Sequence, residues 1–263
     1  MDSAPTVSVV IPVKDDAVLL GRCLAALADQ HDRPDEVVVV DNRSTDGSAD
    51  VAREAGARVV SELRPGIPAA SARGYDEAVG EVIARLDADC VPPPDWVHRI
   101  RTAFADDPAL DAVTGSARFI DGPRGLRSVL SALYLGSYVV AVTPALGHVP
   151  LFGSNLAFRR EAWRAVRDDV HRGDQLMHDD MDLSVHLGPC RRFRYDLGLR
   201  MGISMRALTG DGALRLRRGL HSVVAHWPEE FPVRRWRRRA AWMATRTSGS
   251  RDARDRVRRG HAA

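Results

Sequence analysis

Cysteine is scarce: Cys23, Cys90 and Cys190 are the only three in 263 residues. They form no CxxC pair and no zinc-ligand spacing, which argues against a disulfide scaffold or a zinc ribbon and fits a reducing cytoplasm. No G-x-G-x-x-G follows any apolar run, which removes the main signature of a dinucleotide cofactor. No internal repeat is evident. The opening MDSAPTVSVVIPVKDD has no basic leader and meets acid after a short apolar run, so no secretory signal is expected. Charge is absent over residues 128–147, a length that approaches the ~20 residues of a membrane span. Ser128, Ser131, Gly136, Ser137, Thr143 and Pro144 dilute that stretch, and Tyr134 and Tyr138 suit an interface better than a bilayer core. The first expectation is a buried or partner-facing helix; docking on a membrane surface ranks second and a true span last.

What is present is an ordinary globular composition, 44% apolar and 28% charged, enough for one large α/β domain or a domain with an extension. The net charge of +3 is unevenly spread. From residue 213 on there are 14 arginines against four acids, a local +10 that leaves −7 for the rest. An acidic-to-neutral body thus carries a basic tail, RRWRRR followed by SRDARDRVRRGHAA. Such a tail is solvated and disordered, or it touches anionic lipid or nucleic acid.

Along the body, β-branched runs alternate with helical spacing. VSVVIPV (7–13) is continuous, as in a strand covered on both faces. Apolar Val18, Leu19, Leu24 and Leu27 then predict a helix over 16–28. EVVVVD (36–41) predicts a second strand, RSTDGSADVAREAG a helix capped at Thr45 or Asp46 and ended by Gly56, and ARVVS (57–61) a third strand. Residues 65–80 read as a Gly/Pro loop entering a helix, and EVIARL (81–86) as a fourth strand. This alternation predicts a doubly wound, mostly parallel sheet flanked by helices. Further on, PPPDWVHRIRTAF predicts an amphipathic helix carrying Trp96, Ile100 and Phe104, and DAVTGSARF (111–119) another strand.

In open α/β sheets ligands collect at the C-terminal strand ends. Here those ends carry Pro12, Val13 and Asp15, then Asp41 and Asn42, then Asp87 and Asp89. Like charges gathered at one rim repel, so stability alone does not explain them. The LDADC stretch is either a plain surface turn or a pair of carboxylates holding a divalent cation against a phosphate.

Six stretches together resemble family 2 glycosyltransferases of the GT-A fold: SVVIPVKDD, VVVVDNRSTDGS, the 65–80 loop, LDADC, GSNLAFRREAW and HDDMDLSVHL. They occur in the family's order over roughly residues 6–210. The resemblance implies transfer of a sugar from a nucleotide donor with inversion at the anomeric carbon, assisted by Mg2+ or Mn2+. Matched by position, Pro12, Val13 and Asp15 resemble the turn that lines the nucleotide, and Asp41 the first acid of a base-recognition pair. Asn42 stands where the second acid would be, so a UDP- or GDP-linked donor stays open. Arg73 matches a loop position near the donor. LDADC is the family's DxD: Asp89 would bind the metal, and Asp87 would approach the ribose or the metal's water. GSNLAFRREAW resembles the segment shaping the acceptor pocket. In HDDMDLSVHL, Asp180 occupies the general-base slot, with Asp179 the second candidate. Many relatives place a histidine after the next strand; this chain has Ser204-Met205-Arg206 there, and Arg206 would offset diphosphate charge. His221 and His226, further on, read first as solvent-facing or core residues.

The expected division is a GT-A domain over 1–212, with a donor half (1–92) and an acceptor half (93–212), then a basic helical extension over 213–263 with a disordered end. The expected partners are a nucleotide-sugar and a hydroxyl acceptor, lipid-linked or glycan, with no nucleic acid. The expected location is cytoplasmic, with peripheral contact at the inner face of the membrane, because HWPEEFPVRRWRRRAAWM interleaves aromatics with arginine. Two other readings remain open: a sugar-nucleotide nucleotidyltransferase, disfavoured because PVKDD replaces a glycine-rich first loop, and a non-catalytic module gripping polyanion or lipid.

Overall fold

The computed structural model describes residues 4–209 and 212–260. β1 (Val7–Val13), β2 (Glu36–Asp41), β3 (Arg58–Ser61) and β4 (Val82–Arg85) follow the apolar runs to within a residue, alternating with α1 (Ala17–Ala28), α2 (Ser48–Glu54) and α3 (Ile67–Glu77). Every residue of β1 is buried because helices cover both faces of the sheet. Val7, Val9, Ile11 and Val13 pack toward Leu20, Leu24 and Leu27 of α1. Val10 points the other way, toward Ala70, Ala72 and Tyr75 of α3. α4 (Trp96–Asp106) follows β4 and joins the α1 layer through Trp96, Ile100 and Phe104.

The second half contributes β5 (Ala112–Phe119), α5 (Arg127–Leu146), β6 (Leu156–Arg159), α6 (Arg160–Arg164), α7 (Asp179–Leu187) and β7 (Phe193–Ile203). The seven strands lie in the order β3-β2-β1-β4-β6-β5-β7. β6 runs antiparallel to both neighbours, and every other pairing is parallel. The doubly wound, mostly parallel α/β sheet expected from the sequence is therefore present. Because β6 is reversed and Arg85 pairs with Leu156, the segment leading into β6 reaches the same rim as the ends of β1, β2 and β4.

The uncharged stretch forms α5, the one helix among the described residues long and apolar enough to cross a membrane. The expectation of burial holds for one seam only. Ser131, Leu135, Val142 and Leu146 are buried, whereas Leu133 and Val140 are 65% and 74% exposed. α8 (Arg206–Thr209), α9 (Gly212–Val224) and α10 (Pro232–Gly260) complete the chain. The start of α10 is tied into the body. Arg235, 1% exposed, donates to the carbonyls of Leu146 (2.6 Å) and Val185 (3.1 Å), and Trp236 Nε1 donates to Pro144 O. Residues 261–263, where a disordered end was expected, lie outside the described residues.

Candidate active site

The C-terminal rim of the sheet opens into a cavity of about 560 Å³, lined by Pro12, Val13, Asn42, Asp87, Asp89, Asp179, Asp180 and Arg206 among others. Eight of the eleven residues singled out in the sequence thus line one space, although they come from loops up to 194 positions apart.

Each is held by a specific partner. On the β1 loop, Asp15 takes a left-handed φ of 51°. Its carboxylate accepts from Thr45 N–H at 2.6 Å and from Thr45 Oγ1 at 3.1 Å. The Thr45 backbone contact holds that carboxyl below its ordinary value. Asp15 therefore knots the β1 and β2 loops together and does not line the cavity. Asp41 likewise lies outside the lining and accepts from Ser44 N–H. Asn42 is buried, with its amide fully engaged: Nδ2 donates to Glu62 O (2.9 Å) and Arg64 O (2.7 Å), and Oδ1 accepts from Gly66 N–H (2.8 Å). This latch fixes the loop into α3, where Gly66 adopts φ +114°, a conformation suited to glycine.

Arg73 sits elsewhere. It pairs with Glu77 at 2.8 Å one helical turn on. Glu77 also pairs with Arg58, which bonds Glu36; these are the first residues of β3 and β2. Arg73 thus faces the opposite end of the strands from the cavity.

A cation that the sequence-based expectations did not include, Arg85, the last residue of β4, reaches the rim. Its side chain is 4% exposed, at 2.8 Å from Asp87 and at an ion-pair distance of 3.3 Å from Asp179. Burial opposes its charge, and the charges of Asp179 and Asp87 more than offset that. Sequence reading passed over this residue as part of a strand, yet an arginine inside an apolar run is itself a signal, because buried charge requires a partner. Asp87 also accepts from Ser154 Oγ. Asp89 accepts from Arg206 at 2.9 Å, and the same guanidinium reaches Asp16 at 2.6 Å. Burial, then the neighbouring charge of Asp87, pushes the Asp89 carboxyl up.

Asp180, at the start of α7, accepts from Gly153 N–H at 2.9 Å. Its carboxyl is raised by burial first and by Asp179 second. A Cβ on Gly153 would stand 1.7 Å from Arg85 Nη1 and 3.1 Å from Asp180 Oδ2. Glycine is what lets the guanidinium and the carboxylate crowd against one backbone segment. Next along, Asn155 is wholly buried and accepts from Trp96 Nε1, and its amide donates to Ser116 O and Leu199 O. The GSN stretch is thereby pinned between β5, β7 and α4.

A second cavity of about 460 Å³ opens beside the first between α5, α7 and α9. Tyr138, Val142, Met181, Leu216, Leu220 and Val223 give it apolar walls. Tyr134, Phe152, His178 and Asp180 line both cavities.

The donor set at Asp87 and Asp89 suits a hard divalent ion. One carboxylate oxygen from each lies within 4.8 Å of the other and of Cys90 Sγ. Cys90 is a poor match for such an ion, because hard cations prefer oxygen to sulfur. The Asp89 carboxyl is raised by burial first and by the charge of Asp87 second, and a cation would offset both. Neither His221 nor His226 lines the cavity: His221 pairs with Asp174 at 2.5 Å, and His226 is buried behind α7.

A family model described as Glycosyl transferase family 2 matches residues 8–167. Among curated proteins, the chain is 32% identical over 123 residues to glycosyltransferase AglE of Haloferax volcanii, covering 44% of this chain and 40% of that one. It is 36% identical over 111 residues to undecaprenyl-phosphate 4-deoxy-4-formamido-L-arabinose transferase of Pectobacterium carotovorum, covering 38% and 34%. The chain therefore spans less than half the length of either. Among solved structures, glucosyl-3-phosphoglycerate synthase of Mycobacterium tuberculosis with UDP aligns at a TM-score of 0.49 and 25% identity, over 62% of this chain and 59% of that one.

Proposed function

The chain belongs to glycosyl transferase family 2, and from that premise we propose that it moves a sugar from a nucleotide-sugar donor to an acceptor hydroxyl with inversion at the anomeric carbon. The observation that carries the reading is the position of Asp180. It lines both the polar cavity of Asp87 and Asp89 and the apolar cavity of α5, α7 and α9, where a base between donor and acceptor has to stand. An inverting displacement needs one carboxylate to accept the hydroxyl proton as the new bond to carbon forms, and positioned base catalysis contributes about 10²–10⁴-fold. Burial and Asp179 raise the Asp180 carboxyl and strengthen it as a base, while Gly153 N–H fixes its direction.

On the donor side, Pro12, Val13 and Asn42 border the nucleotide space. Because Asn42 spends its amide on the 62–66 loop, its side chain is not free to choose between UDP- and GDP-linked donors. Asp89, with Asp87, would hold Mg2+ or Mn2+, which when bound neutralises charge gathering on the departing nucleoside diphosphate. Arg206 and Arg85 supply fixed positive charge at the same rim. The apolar second cavity suits the lipid portion of a lipid-linked acceptor. The name of the Pectobacterium relative points to such an acceptor, undecaprenyl-phosphate. The exposed Leu216 and Leu220 of α9 and Leu133 of α5 favour peripheral contact with a membrane, consistent with a cytoplasmic enzyme of hexosyltransferase type working at the inner face. The nucleotidyltransferase reading lacks its glycine-rich loop. The binding-module reading leaves the raised Asp89 and Asp180 carboxyls without a purpose.

The test is a panel of nucleotide-sugars screened by thermal shift with and without Mn2+, since a true donor stabilises by mass action, followed by turnover of two variants. Asp180→Asn is expected to keep donor binding and lose about 10²–10⁴-fold in kcat. Asp89→Ala is expected to lose the metal-dependent part of donor binding. Wild-type turnover by Asp180→Asn would overturn the assignment of the base.

A further inference from the structure

Behind α7, on the side away from the cavity, three imidazoles surround a single carboxylate oxygen. His171 Nδ1, His226 Nε2 and His186 Nε2 lie 2.8, 2.9 and 3.1 Å from Asp182 Oδ1. The four ligand atoms all fall within 4.8 Å of one another. Asp182 is 2% exposed, and its other oxygen accepts from His171 N–H at 2.7 Å. The rings pack at centroid distances of 4.9, 5.0 and 5.5 Å.

Hydrogen bonding between neutral rings does not satisfy this arrangement. His226 Nδ1 stands 2.7 Å from the Ser222 carbonyl, and a carbonyl only accepts, so Nδ1 carries the proton. In the neutral ring the Nε2 lone pair then faces the lone pairs of Asp182 Oδ1 at 2.9 Å. The buried His186 Nε2 reaches the same oxygen without a hydrogen-bonding angle and has no hydrogen-bond partner. One oxygen thus meets three ring nitrogens, and for His226 a hydrogen bond to it requires a ring protonated on both nitrogens. A cation between them removes the conflict.

We propose that His171, Asp182, His186 and His226 form a site for a divalent transition-metal ion, zinc by its ligand type, that is separate from Asp87 and Asp89. Three imidazoles and one carboxylate make a closed tetrahedral zinc set. Bonds of about 2.0–2.1 Å would put the ligand atoms roughly 3.3 Å apart, a few tenths of an ångström wider than the present nitrogen–oxygen distances. The His226 Nδ1–H bond to a backbone carbonyl is the outer support that orients a ligating imidazole. His171, 37% exposed at its side chain, offers the entry path. Magnesium is a poor occupant, because it demands oxygen ligands. With no open position, the ion is structural. It ties the loop before α7 and the turn after α9 to the helix that begins with Asp179 and Asp180.

The experiment uses the full chain, stripped with chelator and titrated with Zn2+ and, separately, Co2+. One equivalent of Zn2+ is expected to survive gel filtration in the wild type and equally in Asp89→Ala. Co2+ is expected to give the intense visible bands of a tetrahedral site, and Zn2+ to raise the thermal midpoint. His171→Ala, which removes the most exposed of the three rings and so perturbs the fold least, is expected to weaken Zn2+ binding by at least the ~10–100-fold that loss of an outer-shell partner costs. Zn2+ uptake no greater in the wild type than in His171→Ala would overturn the site, as would its loss in Asp89→Ala or a weak octahedral Co2+ spectrum.

Discussion

At Gly153 a methyl group would stand 1.7 Å from Arg85 Nη1, and Arg85 cannot yield easily because it is buried between Asp87 and Asp179. Gly153→Ala is therefore expected to displace the guanidinium and to loosen the N–H that holds Asp180. We expect a loss of about 1–3 kcal/mol, the usual cost of overpacking, read by urea unfolding, together with a fall in kcat larger than the change in donor Kd. Wild-type stability and turnover would show that the loop shifts freely. The same pair of residues shows what a sequence reveals at this scale. The carboxylates were legible because several motifs place acids at strand ends. Arg85 was legible in principle, as a charge inside an apolar run. Arg73 was assigned by loop position, but its direction depends on how α3 docks: Ala72 and Gly74 beside it face the sheet, which turns Arg73 toward Glu77 and away from the rim.

Among the elements, the first four strands were readable because each is a β-branched run buried on both faces. β6 was not. Four residues, LAFR, carry no period long enough to decide type, and strand direction follows from pairing partners. The segment that enters β6 also carries a pH-sensitive joint. His148 is 5% exposed: its Nδ1 lies 2.9 Å from Val149 O, and its Nε2 lies 3.1 Å from Ser184 O and 3.2 Å from Arg235 Nη2. Phe193 stacks on the ring at 4.2 Å. Burial first, then the charge of Arg235, brings its pKa down from 6.5 to about 4. The unfolded imidazole takes its proton near pH 6.5 and the folded one only near pH 4. Between those values the unfolded chain binds the extra proton, so stability falls as pH falls through that window. At 1.36 kcal/mol per pKa unit this amounts to about 3 kcal/mol. His148→Gln is expected to flatten the loss by that order when unfolding free energies are compared at the two ends of the window; an unchanged slope would place the proton uptake elsewhere.

For the whole molecule, the basic C-terminal segment has two parts of different standing. Its composition was plain in the sequence, but its docking was not, because an arginine count does not say which arginines are buried. Arg235 and Trp236 bond the end of α5, and Arg239 donates to the carbonyls of Pro189 and Arg191 at 2.8 Å. All of these lie before residue 247. Deleting 247–263 is expected to leave the thermal midpoint and turnover on a soluble acceptor unchanged. Deleting from 232 would strip the carbonyls of Leu146 and Val185 of their buried donor and is expected to lower the midpoint by several degrees, since each buried acceptor left unpaired costs about 1–3 kcal/mol. A large effect of the shorter deletion would make the tail part of the fold.

The reversed strand between β4 and β5 has a consequence for anyone recombining relatives of this chain. Residues 82–85 are zipped along one edge to residues 156–159, so the first four strands end on an unfinished border that only the later portion completes. A chimera joined near position 92 must import a border whose bulk and register match this one residue for residue; otherwise Arg85 arrives at the rim out of line with the glycine made to receive it.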